Sequence, residues 1–373
     1  MSSEDFTVTP WSVEGDIDYD KLIQKFGTEK ISDELQARVK KITGEVHPML
    51  KLGYFFSHRD FDKILTEYEK GNKFYLYTGR GPSGSIHMGH LLPWIFTKYL
   101  QEKFGVNLIF QITDDEKFLY NDEKSFQDVS KHTTENIYDI IAVGFDPKKT
   151  KILVDTRDIK RIYPIALEIA KRITFSTVKA VFGFQNSTNI GMIGFPPIQA
   201  APCFLPSVIE GKPTPVLIPA AIDQDPYWRV TRDIAEKMGY PKPAQIHSKF
   251  LPGLGMQGKM SSSIPETAIF TTDTDEAIDK KISSAFTGGQ PTVDMQRKLG
   301  ANFSICSVFW YLRYFFDTEK ESDERARKCR GGELLCGECK CNLKDATKPF
   351  IADFKKRREK AKDQVEQFLF DKS

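Results

Sequence analysis

No stretch of this 373-residue chain is apolar for long enough to cross a bilayer; the best run, VLIPAAI at 216–222, has the length of a core strand. Cysteine is scarce: there are six, four of them crowded between 329 and 341, which is no disulfide framework and points to a reduced, cytoplasmic setting. A charge excess is missing too, since 53 Lys and Arg against 51 Asp and Glu leave a net +2. That balance excludes a chain basic throughout, while a basic face offset elsewhere stays open. The opening MSSEDFTVTP lacks a basic segment followed by an apolar one, so no export signal is expected, and its acidic residues speak against a transit peptide. Internal repeats and low-complexity linkers are also absent, so boundaries must come from shifts in pattern.

What is present is the composition of a folded chain, with 40% apolar and 28% charged residues, long enough for two or three packed units. Residues 1–70 read as an N-terminal appended segment that mixes Pro10 and Trp11 with charged helical stretches such as ISDELQARVKKI and RDFDKILTEYEKG. Residues 71–265 alternate short β-rich runs with helical patterns, the order that builds a parallel sheet covered by helices, with an insertion at roughly 121–215. From 266 to 373 the pattern is helical almost throughout. Asp273 with Glu276 suggests a capping box for a helix with Ile278, Ile282 and Phe286 on one face.

The chemistry concentrates in the middle. FYLYTGRG (74–81) reads as a buried strand ending in a Gly-rich turn, and LLPWIFTKYL (91–100) repeats apolar residues at helical spacing. Between them lies PSGSIHMGH, a loop running into a helix start, where free backbone N–H groups and the helix dipole favour phosphate. His87 and His90, three apart, would face the same way from that first turn. Alone, so short a pattern equally fits a satisfied surface pair. A second segment adds to it: GLGMQGKMSSS (253–263) places glycines before a lysine and a run of hydroxyls, the make-up of a mobile loop that folds over an anion. It follows the strand-like AQIHSKF (244–250), so its tip can return to the sheet edge that carries the histidines.

HMGH resembles the HIGH motif, and KMSSS the KMSKS motif, of the class I aminoacyl-tRNA synthetases. TGRGPS, QITDDEK (111–117), FPPIQAAP (195–202), AIDQDPYWRVTRD (221–233) and the N-terminal VTPWSVEG (8–15) resemble the eukaryotic and archaeal tryptophanyl branch of that family, from about residue 8 to the C-terminus. The resemblance implies an α/β fold: a Rossmann-like parallel-sheet nucleotide-binding domain with an insertion, followed by an α-helical, anticodon-binding C-terminal domain. It implies activation of L-tryptophan by ATP with Mg²⁺ and transfer to tRNA(Trp), by a homodimer with no membrane association. His87, His90 and Lys259 take the catalytic places, and Thr78, Gly79, Arg80, Gly89, Asp223, Met260, Ser261, Ser262 and Ser263 the ATP-binding ones. Tyr77, Gln111, Glu116, Gln199 and Gln224 surround the amino acid, where the Tyr77 hydroxyl or the Gln111 carbonyl offers the acceptor that an indole N–H needs.

Two positions depart from the family's broad pattern. Met88 stands for the common Ile, and Ser262 for a second lysine, which leaves Lys259 with more of the pyrophosphate. A tyrosyl synthetase would lack TGRGPS and AIDQDPY; a small-molecule adenylyltransferase has no reason for a helical last third; an inactive RNA-binding relative would be expected to have lost the histidines or Lys259. The basic runs Lys355–Arg358 and Arg325–Arg330 fit phosphate contact, though such runs are more often a solvated helix face. Cys329, Cys336, Cys339 and Cys341 include a C-x₂-C, but the C-x-C at 339–341 breaks the paired-knuckle pattern and no histidine is near. They read as reduced thiols, with no metal held by protein ligands.

Overall fold

The computed structural model describes residues 6–8 and 13–15 (backbone only), 17–120, 123–255, 260 and 264–370. Lys259, Ser261, Ser262 and Ser263, together with Pro10 and Trp11, lie outside the described residues. The strands are β1 (Phe6–Val8), β2 (Val13–Gly15), β3 (Glu29–Lys30), β4 (Phe55–Arg59), β5 (Tyr75–Arg80), β6 (Asn107–Ile112), β7 (Thr150–Val154), β8 (Val216–Ala221) and β9 (Ala244–Ser248). β1 and β2 pair with each other; the other seven form one sheet in the order β3-β4-β9-β8-β5-β6-β7.

The five strands from β9 to β7 are parallel, as the alternation of strand and helix patterns predicts. Helices cover both faces, so these strands are apolar on both sides. Leu76, Phe110 and Leu217 enter one core while Tyr75, Tyr77 and Ile109 enter the other. The sheet also recruits residues from outside the expected nucleotide-binding core. β4 runs antiparallel to β9, and β3 to β4, so the N-terminal segment extends the sheet, and β7, inside the expected insertion, closes the far edge. Short antiparallel edge strands carry little periodic signal of their own, which is why the charged helices around them dominate the sequence pattern.

The helix Met88–Phe104 follows β5 and buries Leu91, Leu92, Phe96 and Leu100. In the last third, the 26-residue helix Cys336–Ala361 lies against Phe126–Ala142 and Asp275–Ser283. Its Leu343, Ile351 and Phe354 share one continuous core with Leu76 and Phe110 of the sheet. The helix at Asp275 is capped by Thr274, whose side chain accepts from Ala277 N–H, and not by the expected Asp273. Asp273 instead accepts from Phe270 N–H and pairs with Lys281 at 2.6 Å, and Phe286 falls beyond the helix end. The more favourable local cap wins because a nearby cation already engages Asp273.

Part of the basic sequence turns inward. Arg358 is buried and pairs with Asp139 (3.1 Å) and Glu135 of the helix Phe126–Ala142, while Arg325 grips Asp317 at 2.8 Å. Removing one partner of such a buried pair commonly costs about 3–5 kcal/mol. Asp139 also accepts from Thr271 (2.9 Å), so one carboxylate joins three segments. Burial pushes this carboxyl up to about 6, with Arg358 offsetting only part. The folded chain therefore keeps a proton that the unfolded chain releases, and the carboxyl's contribution to stability falls as pH rises from about 4 to about 6. Urea-unfolding midpoints of the unmodified chain and Asp139→Asn, followed across that range, should diverge; parallel curves would show that Asp139 does not titrate there.

Candidate active site

The carboxyl ends of β5, β6, β8 and β9 surround a cavity of ≈ 350 Å³. This is where a parallel sheet opens, because neighbouring loops leave in opposite directions and the strand ends stay uncovered. Every described residue singled out from the sequence lines it: Tyr77, Thr78, Gly79, Arg80, His87, Gly89, His90, Gln111, Glu116, Gln199, Asp223, Gln224 and Met260.

At one end lies the start of the helix Met88–Phe104. His87 is its N-cap residue, and the His87 and His90 rings stack with centroids 3.6 Å apart. His90 Nδ1 accepts from the His87 backbone N–H at 3.2 Å, and its Nε2 lies 3.0 Å from the Arg80 guanidinium, so donors of the chain itself flank both ring nitrogens. Arg80 also donates to Asn136, and desolvation pulls its guanidinium down to about 10, which leaves it charged at neutral pH. A side chain at Gly89 would stand 3.1 Å from the His87 ring and 3.4 Å from Met260 Sδ, so the glycine holds the approach to the helix open. Met260 is buried, and its thioether faces Gly89 N–H (3.4 Å) and the Tyr311 hydroxyl (3.7 Å). Its sulfur thus joins the helix Ser307–Phe315 to the start of the helix Met88–Phe104.

At the other end is a buried polar chain. Tyr77 donates to Gln111 Oε1 and lies 2.9 Å from the Gln199 carbonyl, while Gln111 Nε2 donates to both oxygens of Asp155, at 2.8 and 2.9 Å. Burial, with Asp115 beside it, pushes Asp155 well above the usual carboxylate range, and burial raises Asp115 to about 6. The two acids are close enough to share one proton. The Trp228 ring stands edge-on to Tyr77 at 5.3 Å and completes an apolar wall. Between the two ends, Glu116 accepts from Thr113 (2.8 Å) and pairs with Lys117 (2.7 Å), and Asp223 and Gln224 face it from the turn after β8.

Sequence reasoning missed several members of this wall. Lys117, Trp228 and Lys249 sat inside segments already noted, whereas Tyr54 carried no local signal, and Asp155 acts from behind the lining through Gln111.

The family model "tRNA synthetases class I (W and Y)" matches residues 69–352. A tryptophan–tRNA ligase of Pyrobaculum calidifontis is 49% identical, with 98% of each chain covered. That of Sulfolobus acidocaldarius is 53% identical over 99% of this chain and 96% of its own. The crystal structure of Plasmodium falciparum tryptophanyl-tRNA synthetase superposes with a TM-score of 0.89 at 42% identity, covering 95% of this chain and 97% of its own. A matched model over most of the length, joined to near-full-length relatives and a cavity built from the same motifs, establishes that this chain belongs to the class I tRNA synthetases of the tryptophan and tyrosine group.

Proposed function

We infer that this chain is a ligase that activates tryptophan with ATP and joins it to tRNA(Trp). A tryptophan carboxylate oxygen attacks the α-phosphorus, the bond to pyrophosphate breaks, and the tRNA's terminal ribose hydroxyl then displaces AMP from the adenylate. Neither step needs an enzyme nucleophile, so catalysis is positioning and charge stabilisation.

The observation that carries this reading is the pocket's two-ended character. At the phosphate end, His87, His90 and Arg80 meet charge on the phosphates, with Gly89 leaving room for the adenine and Lys259 closing over the β- and γ-phosphates with Met260, Ser261, Ser262 and Ser263. Thr78 and Gly79 line the nucleotide, and Asp223 takes the ribose hydroxyls. Glu116 already pairs with Lys117, so it is not free to hold Mg²⁺. The ion is carried on the nucleotide's phosphates, whose charge it offsets.

At the indole end, Asp155 fixes the amide of Gln111 so that its oxygen faces Tyr77. The Tyr77 proton is thereby engaged, and a lone pair on the hydroxyl is left for the indole N–H. This makes the Tyr77 hydroxyl the reader and turns the Gln111 carbonyl into its support. Glu116, Gln199 and Gln224 serve the α-ammonium and the ring edge.

The helical region from 266 onward, by this reading, receives the anticodon stem. The packed helices Asp155–Ala170, Phe175–Phe182, Ile190–Ala200 and Leu205–Glu210 expose Tyr163, Leu167, Phe175, Ile190 (83% exposed), Val208 and Ile209, an apolar face suited to a second copy. No helix among the described residues is long and apolar enough to cross a membrane. All six cysteines are free thiols, which suits the cytoplasm as the place of work.

Four outcomes test these roles. ATP–pyrophosphate exchange should depend on tryptophan; exchange driven by tyrosine and not by tryptophan would reverse the assignment. Lys259→Ala should slow adenylate formation by at least ~10²-fold with little change in melting temperature, and an unchanged single-turnover rate would remove the loop from the mechanism. Asp155→Asn lets the Gln111 amide turn, so the preference for tryptophan over an analogue with sulfur in place of the ring N–H should shrink by roughly tenfold or more. Equal losses for both amino acids would instead mark Asp155 as merely structural. Sedimentation should give a dimer that Leu167→Asp splits; a fully active monomer before mutation would dispose of the dimer.

A further inference from the structure

A buried polar cluster that the mechanism does not use lies behind the turn Ile222–Gln224. At its centre is Asp225, the first residue of the helix Asp225–Ala235, which is fully buried. Arg59, the last residue of β4, grips both carboxylate oxygens, Nε to Oδ1 at 2.7 Å and Nη2 to Oδ2 at 3.0 Å. Such a two-pronged contact fixes a carboxylate in direction as well as in place. Arg229, one turn along the helix, adds a contact at 3.2 Å, and His247 of β9 stands 3.6 Å away. Burial holds the His247 imidazole down at about 4, so it is neutral at pH 7, with Ser57 Oγ at 3.0 Å and Gln245 Oε1 at 2.7 Å. The charge of Asp225 is therefore met by the two guanidiniums, and chiefly by Arg59, which is the more deeply buried of them.

Neither Arg59 nor Asp225 lines the cavity. What they hold is the turn in front of them. The remaining N–H groups of Arg59 donate to the carbonyls of Phe26 and Gly27 (2.9 Å), at the end of the helix Tyr19–Phe26. From that helix Leu22 and Phe26 pack, with Phe56 of β4, around Ile222. The turn is thus pinned at both ends, by apolar packing at Ile222 and by the ion pair at Asp225. Between those anchors stand only Asp223 and Gln224, and both face the cavity. So short a segment has few free torsions, and the aim of its two side chains follows from where its ends are fixed. A second ion pair joins the same two elements, Asp60 to Arg232 at 2.5 Å, but it lies about two turns further along the helix. It fastens helix to strand without bearing on the turn.

We propose that Arg59 is a positioning residue for substrate activation, acting through Asp225 to set the turn that aims Asp223 at the ribose and Gln224 at the α-ammonium. The proposal rests on the roles given to those two residues in tryptophan activation. Because both contacts hang on one turn, loosening it weakens ATP and tryptophan together, which loss of either side chain alone does not do.

The test is tryptophan-dependent ATP–pyrophosphate exchange by the full chain, with rates normalised to titrated active sites and melting temperatures measured alongside. Arg59→Lys keeps the charge and loses the fork, whereas Arg59→Met loses both. Arg59→Lys should raise KM for tryptophan and for ATP together by at least about threefold, and Arg59→Met by more. Arg232→Met, which breaks the second pair, should lower the melting temperature and leave both KM values unchanged. In a Gln224→Ala background, Arg59→Lys should add little to the KM for tryptophan while still raising that for ATP, since coupled residues are not additive. Unchanged KM values in Arg59→Lys would overturn the proposal, as would equal effects from Arg232→Met or full additivity with Gln224→Ala. Arg59→Lys, the milder change, decides the matter should Arg59→Met not fold. An unmodified chain without tryptophan-dependent exchange would instead remove the activation reading on which the proposal stands.

Discussion

The parallel pairing of β5 with β6, residue for residue from Tyr75 opposite Asn107 to Arg80 opposite Ile112, is the constraint on which the site depends. It sets Gly79 beside Gln111, close enough that a Cβ would stand 3.2 Å from the Gln111 carbonyl, and it presents Tyr77 and Gln111 on one face. A slip by one residue would send Tyr77 into the opposite core and Leu76 into the pocket. Because both faces are covered, either change would bury a phenol without its partners or strand an apolar side chain among polar ones.

A second tier of interactions holds the helical region to that sheet. The Arg358–Asp139–Thr271 junction and the contact of Tyr311 with Met260 both cross from late in the chain to the walls of the pocket. The apolar core is continuous across the same boundary. Through Met260, the last third is thus packed against the start of the helix that carries the histidines.

Strand–loop–helix order and the Gly-rich approach to His87 were legible because each is a local pattern. So was a parallel sheet covered by helices. Illegible were the features made by partners far apart in sequence. β3 and β4 are short and antiparallel, and take their place only because β9 offers an edge. Asp155 looks like any acidic residue opening a helix, yet it decides which way the Gln111 amide points. Thr274 displaced Asp273 as a cap because Lys281, eight residues on from that aspartate, returned to claim it.

The sequence by itself determined the residue types and their local geometry: which segments form strand, loop and helix, and hence the kind of chemistry, since spacing along a regular element converts directly into direction in space. Only the tertiary structure decided the company those residues keep. It oriented Gln111 between a phenol and a buried acid, and took Arg358 out of the basic surface into a buried pair. Such choices depend on packing between elements tens or hundreds of residues apart, and no periodicity within either element encodes them.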